Sequence, residues 1–91
     1  MIIADSIKYK LIRDFSPLML EVIDQSHLHV GHSEAGSGIE THFYVEIVSS
    51  AFEGIARAER HRMVYHCLNE EIKKSVHALS LNLISVTENL A

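Results

Sequence analysis

The sequence predicts a single α+β domain in which helices pack on one face of a three-stranded sheet. Three observations predict this class: a helical apolar repeat near the N-terminus, three apolar or alternating stretches of strand length, and a second helical stretch before the last of them. The chain has 91 residues, 47% hydrophobic and 22% charged. That size and composition suit one folded domain spanning residues 1–91.

The first helix is predicted from an apolar repeat at every fourth residue. The repeat consists of Ile3, Ile7, Leu11 and Phe15. Pro17 should end the helix, because proline disfavours helical geometry in the residue before it. The apolar run 18–24 is too short for another helix and predicts the first strand. Its predicted core-facing residues are Leu18, Leu20 and Val22.

The second strand is predicted at residues 41–48, where apolar and polar residues alternate. Phe43, Val45 and Ile47 share the apolar face, and His42, Tyr44 and Glu46 share the other. Since a loop joins them, the first two strands should pair as an antiparallel hairpin. The alternation also predicts that His42 is a solvent-side strand residue and not a ligand.

A helical segment is predicted from residue 55 to about residue 74, after a turn at Phe52-Glu53-Gly54, with a break near Glu59. Its apolar stripe is Val64, Leu68 and Ile72; its wet side is Arg62, His66, Asn69 and Lys73. Cys67 lies beside the stripe, which predicts an unreactive, buried thiol. His61 is predicted to pack inward and brace the helix junction.

The last strand is predicted at residues 76–84, where Leu79, Leu81 and Leu83 alternate with smaller or polar residues. His77 opens this strand, so its ring should lie at the sheet edge, partly packed and partly open. Residues 88–91 leave room for one helical turn at most.

Composition limits the function classes. A net charge of −4 argues against a surface built throughout to neutralise phosphates. A single cysteine, Cys67, excludes an intrachain disulfide and a two-cysteine zinc motif. Neither a signal peptide nor a membrane-spanning run is recognisable, so a cytoplasmic protein without membrane contact is expected. No acid/base pair or activated nucleophile stands at recognisable spacing, which argues against an enzyme.

Residues 26–42 form the most unusual stretch of the chain. Four of the seven histidines, His27, His29, His32 and His42, and three of the four glycines lie here. The glycines predict a turn or loop, and imidazole is a common metal ligand with a pKa near neutrality. Two interpretations stay open on these residues alone: a metal or proton site, and a loop that uses histidine as a polar residue.

An ordered set of short pieces along almost the whole chain resembles the BolA family. The set consists of Phe15-Ser16-Pro17, Glu40-Thr41-His42-Phe43, Val48-Ser49, Phe52-Glu53-Gly54, Arg60-His61-Arg62-Met63-Val64, Leu68-Asn69-Glu70-Glu71 and Val76-His77-Ala78-Leu79. The resemblance implies that family's α-β-β-α-α-β arrangement, a relative of the class II KH topology. This agrees with the element order read from periodicity.

The resemblance also implies a binding protein that pairs with a monothiol glutaredoxin. Such pairs share a [2Fe–2S] cluster, to which the glutaredoxin side brings a cysteine and a glutathione thiolate, in iron–sulfur trafficking or iron regulation. The histidine that opens the last strand maps onto His77. The second ligand maps onto the loop, with His29 the best match and His32 the nearby competitor. Some relatives have cysteine there; this chain has none and resembles the histidine type.

A DNA-binding transcriptional regulator of stress response and cell morphology is the alternative implied by the resemblance. Its candidate contacts are the basic residues Arg57, Arg60, Arg62, Lys73 and Lys74. KH modules clamp a nucleic-acid backbone with a GXXG loop. This chain has Gly54-Ile55-Ala56-Arg57 there, with only the first glycine. The sequence leaves open whether the isolated chain forms a weak homodimer.

Overall fold

A computed structural model of the chain describes residues 3–26 and 42–91. The helices are α1 (Ile3–Phe15), α2 (Arg57–Cys67), α3 (Asn69–Lys74) and α4 (Val86–Leu90), and the strands are β1 (Met19–Asp24), β2 (His42–Val48) and β3 (Ala78–Ile84). The predicted α+β class with a three-stranded sheet is confirmed. The loop candidates His27, His29 and His32 lie outside the described residues.

The sheet has the order β1-β2-β3, with β2 at its centre. Strand β2 is antiparallel to β1, as the predicted hairpin requires, and parallel to β3. The register aligns Val22, Val45 and Leu81 across the sheet on the face that the helices cover. The predicted alternation of β2 and β3 is therefore confirmed, and the core lies between this face and helices α1 and α2.

Helix α1 buries the predicted stripe: Ile7, Leu11 and Phe15 are buried and Ile3 packs against them. The placement of Leu18 on the core face was wrong, because its side chain is 68% exposed. The Leu18 backbone still pairs, since its N–H donates to the Val48 carbonyl at 2.7 Å. However, the residue pairs of the sheet begin at Met19, so the Leu18 side chain lies beyond the covered part of the sheet.

The break in the helical segment falls at Leu68, and its predicted position near Glu59 was wrong. Glu59 lies in the first turn of α2, where a carboxylate stabilises the helix by its favourable interaction with the helix dipole. Leu68 leaves helical geometry (φ −100°, ψ 19°) while its side chain stays buried in the core. Helix α3 then begins with Glu70 and Glu71 in its first turn. The break lets one core leucine end α2 and start α3.

Polar contacts hold α3 against α1. The Lys10 ammonium lies 2.8 Å from the carboxylate of Glu70 and 3.0 Å from that of the buried Glu71.

Cys67, the last residue of α2, also contacts α1: its thiol donates to the Lys10 carbonyl at 3.6 Å. Burial, and next a hydrogen bond with Asp14, raise the pKa of Cys67 to about 12. The thiol stays protonated at neutral pH, which agrees with the predicted unreactive cysteine.

A buried arginine, Arg60, joins α2 to the C-terminal part of the chain. Its guanidinium donates to the carbonyl oxygens of Ile55 (2.7 Å) and Leu83 (2.9 Å) and to the Glu88 carboxylate (2.7 Å). Glu88 also completes a capping box with Ser85 at the start of α4. Helix α4 is five residues long, slightly more than the single turn predicted. No helix among residues 3–26 and 42–91 is long and apolar enough to cross a membrane.

The outer edge of β3 is covered by side chains of α2. Arg60 donates to the Leu83 carbonyl, and the Tyr65 hydroxyl donates to the Leu79 carbonyl at 3.4 Å. An edge strand with unpaired carbonyls can pair with another chain. The two contacts, five residues apart on one helix, therefore protect this edge of the sheet.

Replacing the buried arginine should destabilise the fold. We expect Arg60→Met to lower the free energy of unfolding by roughly 2–3 kcal/mol, because two carbonyl groups lose their donor while most of the side-chain volume is kept. Urea unfolding measures this. The matched control is Arg62→Met on the same helix: Arg62 is exposed and forms a surface ion pair with Glu59, so a change within about 0.5 kcal/mol is expected. Equal losses in both variants would contradict a structural role specific to Arg60.

The stability of the fold should also depend on the ionisation of Glu88. Hydrogen bonds from Arg60, and next from the Ser85 backbone, lower the pKa of Glu88 from 4.5 to about 2. Since the pKa in the folded state is depressed, the ionised carboxylate stabilises the fold above the unfolded-state value, and this contribution is lost as pH falls from 4.5 toward 2. Urea midpoints measured between pH 5 and 2 should fall less steeply for Glu88→Gln than for the wild type. Parallel pH profiles would refute this coupling.

Candidate functional site

His77 lies in the short connection that brings the chain from α3 into β3. The N–H groups of Ser75 and Val76 both donate to the Glu71 carbonyl, at 2.9 and 3.0 Å, and the Val76 side chain is buried. These contacts fix the chain immediately before His77. The His77 side chain itself is exposed, one residue ahead of β3. An imidazole is thus presented to solvent from a firmly held backbone.

The ring of His42 lies next to the ring of His77. Their centroids are 6.5 Å apart and their planes are at 79°, which is an edge-to-face contact. The contact follows from the register, because β2 and β3 start side by side with His42 paired to Ala78. The predicted strand position of His42 is confirmed, but the sequence did not predict that its ring lies beside the ring of His77. Strand alternation describes one strand, whereas the register between two strands brings these rings together.

The backbone of His42 is held by the end of β1. Its N–H donates to the Ser26 hydroxyl at 3.1 Å, and its carbonyl accepts from the Gln25 N–H at 2.8 Å. The Ser26 N–H in turn donates to the Asp24 carboxylate at 2.8 Å. The segment that contains His27, His29 and His32 begins directly after Ser26. The end of β1, the start of β2 and the start of β3 therefore meet at one edge of the sheet.

The described residues at this edge do not form a complete metal site. No group of three or more histidine, cysteine or carboxylate side chains is placed to hold a metal ion within residues 3–26 and 42–91. Cys67 does not add a thiolate, because its raised pKa keeps it protonated and its thiol contacts α1. The exposed His77 and the adjacent His42 can supply imidazole nitrogens, which are borderline ligands suited to iron, zinc and copper.

Two further histidines of α2 lie apart from this edge. His61 is half-buried, and its Nδ1 is 2.9 Å from the Arg57 carbonyl one turn earlier in the same helix. This contact lies within the first turns of α2. The predicted inward packing of His61 at a helix junction stays a prediction. His66 is exposed on the helix surface, and that prediction is confirmed.

The basic candidates divide into four exposed residues and one buried residue. The exposed ones are Arg57, Arg62, Lys73 and Lys74. Arg60 must be removed from the proposed nucleic-acid surface: it is 5% exposed, and its guanidinium is engaged by Ile55, Leu83 and Glu88. A phosphate could reach it only if these contacts broke. The exposed Arg62 is itself paired with Glu59 at 2.7 Å.

The loop that corresponds in position to a GXXG loop leads into α2. Gly54 adopts a left-handed conformation (φ +70°), which glycine tolerates best. Arg57 occupies the place of the second glycine and is the first residue of α2. The second glycine of a GXXG loop is therefore replaced by an exposed arginine at the start of α2.

Comparison with known proteins gives a consistent result. The family model described as BolA-like protein matches residues 11–88. The chain is 42% identical over 88 residues to the DNA-binding transcriptional regulator BolA of Haemophilus influenzae, covering 97% of this chain and 82% of that protein. It is 44% identical over 79 residues to SufE-like protein 1, chloroplastic/mitochondrial, of Arabidopsis thaliana, covering 82% of this chain but only 21% of that protein.

The fold agrees with these sequence matches. The solved structure of the BolA domain of SufE1 from Arabidopsis thaliana superposes with a TM-score of 0.84, at 40% sequence identity over 93% of each chain. The family match spans most of the chain, including both elements that present His42 and His77. The chain therefore belongs to the BolA family.

Proposed function

We propose that this protein is a partner of a monothiol glutaredoxin and shares with it a glutathione-ligated [2Fe–2S] cluster, in iron–sulfur trafficking or iron regulation. The observation that carries the proposal is the exposed His77 imidazole, presented from a fixed backbone at the edge where β2 and β3 begin. An exposed donor without a full ligand set around it in the described part of the chain suits a shared site.

The residues at this edge fit the role of a nitrogen-donating half-site. Iron in such clusters is held by thiolates, and imidazole replaces thiolate on one iron in some of them, which raises the reduction potential. The one thiol of this chain, Cys67, is protonated and packed against α1. The sulfur ligands must then come from the glutaredoxin cysteine and from glutathione. His77 is the fixed ligand on this side of the interface.

The second ligand on this side is proposed to come from the segment between β1 and β2. His29 is the first choice and His32 the alternative, both on the resemblance to the family. This segment is attached directly after Ser26, whose hydroxyl accepts the His42 N–H at the same edge as His77. The chain connectivity therefore supports a ligand from either histidine.

The proposal predicts a spectroscopic change that depends on His77. Adding this protein to a monothiol glutaredoxin that carries a glutathione-ligated [2Fe–2S] cluster should alter the visible absorption and circular dichroism, because imidazole enters the iron coordination. His77→Ala should abolish the change. The matched control is His66→Ala, which removes an exposed imidazole from α2 and should leave the change intact.

The same titration distinguishes the loop histidines. His29→Ala and His32→Ala, made separately, should differ, and the variant that loses the change identifies the second ligand. An unaltered spectrum with the wild-type protein would reject the shared cluster. Retention of the full change in His77→Ala would reject the ligand assignment while leaving the partnership in place.

DNA binding is the second candidate function. It is favoured by the name of the Haemophilus influenzae relative, a DNA-binding transcriptional regulator, and by the exposed basic residues of α2 and α3. These are Arg57, Arg62, Lys73 and Lys74. The net charge of −4 and the pairing of Arg62 with Glu59 oppose strong phosphate binding, so this function ranks second.

If DNA is bound through this surface, binding should be salt-dependent and Arg57 should contribute to it. Arg57→Ala should weaken retardation of duplex DNA and reduce the salt slope by about one, since one phosphate contact is lost. Arg13→Ala is the matched control, because Arg13 is an exposed arginine on α1 that pairs with Asp14. The absence of any retardation at low salt, or equal losses in both variants, would contradict this interface.

A further inference from the structure

The environment of His77 contains one aromatic neighbour that the ligand assignment does not use. His77 stands one residue outside β3 and its side chain is exposed. An exposed histidine ordinarily samples several χ1 and χ2 rotamers, and only some of them point the nitrogens toward a given partner. The ring of His42, 6.5 Å away and nearly perpendicular, borders the His77 ring on one side. That separation lies within the range of about 4.5–7 Å typical of ring pairs.

The side chain of His42 is less exposed than that of His77, the residue it contacts. It belongs to the central strand β2, it is half-buried, and its backbone is bonded to Ser26 and Gln25 on the β1 side. On the other side the strand pairs with β3 at Ala78. Both rings are therefore carried by fixed backbones, but the His42 side chain is half-buried and the His77 side chain is exposed. The less exposed ring can restrict the more exposed one.

We infer that His42 is a positioning residue for His77: its ring limits the rotamers of the His77 imidazole and thereby presents that imidazole to the partner's metal group. The effect on cluster binding rests on the proposed function, whereas the restriction of the His77 rotamers is a property of the isolated chain. Residues that orient a ligating histidine through a hydrogen bond typically cost 10–100-fold in metal affinity when removed, and we expect the ring contact to act at the lower end of that range. His42 acts here through ring contact, without touching the metal.

A direct ligand role for His42 beside His77 would require the two rings to move closer together. Two imidazoles on one tetrahedral metal ion, each at a metal–nitrogen distance of about 2 Å, bring their centroids to roughly 5 Å. The observed 6.5 Å between the His42 and His77 centroids is larger, and the edge-to-face orientation is that of a packing contact. The positioning role is compatible with the observed separation of the rings. It also predicts that another aromatic ring can replace His42, whereas a ligand role predicts that it cannot.

The test compares His42→Ala, which removes the ring, with His42→Phe, which keeps a ring but no nitrogen. In the isolated protein, three-bond couplings to the His77 β protons report whether its χ1 is fixed or averaged. We expect a dominant rotamer in the wild type and in His42→Phe, and averaging in His42→Ala. With cluster-loaded glutaredoxin and glutathione, His42→Ala should weaken the apparent affinity about tenfold, while His42→Phe should stay within about twofold of the wild type. His66→Ala is the control for loss of an imidazole elsewhere.

Each other outcome overturns part of the inference. Unchanged His77 couplings in His42→Ala would show that the ring contact does not order His77. Loss of affinity in His42→Phe equal to that in His42→Ala, with the His77 rotamer retained, would show that a His42 nitrogen is needed, as a ligand or through a hydrogen bond, and would overturn positioning by ring contact. If the wild-type protein leaves the cluster spectrum unaltered, the proposed function fails, yet the couplings still decide whether His42 orders His77. Amide spectra of the same samples verify that the variants are folded.

Discussion

The parallel pairing of β2 with β3 is the constraint on which the rest of the structure depends. Parallel strands cannot be joined by a tight turn, so a crossover must carry the chain from the end of β2 back to the start of β3. Helices α2 and α3 form that crossover, and they also cover the apolar face of the sheet. The same pairing brings the first residues of the two strands side by side. The core and the candidate site are thus two consequences of one pairing.

The crossover also explains the role of Arg60 at the other end of β3. Helix α2 passes along the outer edge of this strand, and two of its side chains satisfy outward carbonyl groups there. Arg60 continues to Glu88 at the start of α4 and so ties the last helix to the domain. In the sequence Arg60 looks like a surface cation. In the structure it is buried, and its guanidinium donates hydrogen bonds to other groups of the chain.

The two candidate functions involve different parts of the molecule. The imidazoles stand where β2 and β3 begin, whereas the exposed cations stand on the helices of the crossover. Relatives that match this chain carry different names, a SufE-like protein in Arabidopsis thaliana and a DNA-binding transcriptional regulator in Haemophilus influenzae. Removal of Arg60 from the basic group, together with the Arg62–Glu59 pair, leaves a weaker positive surface than the sequence indicated. The imidazole of His77, carried by a fixed backbone at the strand edge, is the stronger feature.

The sequence by itself determined the class, the element order and most core positions. The repeats of Ile7, Leu11 and Phe15 and of Phe43, Val45 and Ile47 predict buried faces directly, because side-chain direction follows local backbone periodicity. It also singled out His77 through the resemblance to the BolA family. Only the tertiary structure decided the break at Leu68, the burial of Arg60 and the contact between His42 and His77. These depend on which distant backbone groups meet, and local periodicity does not contain the register between β2 and β3.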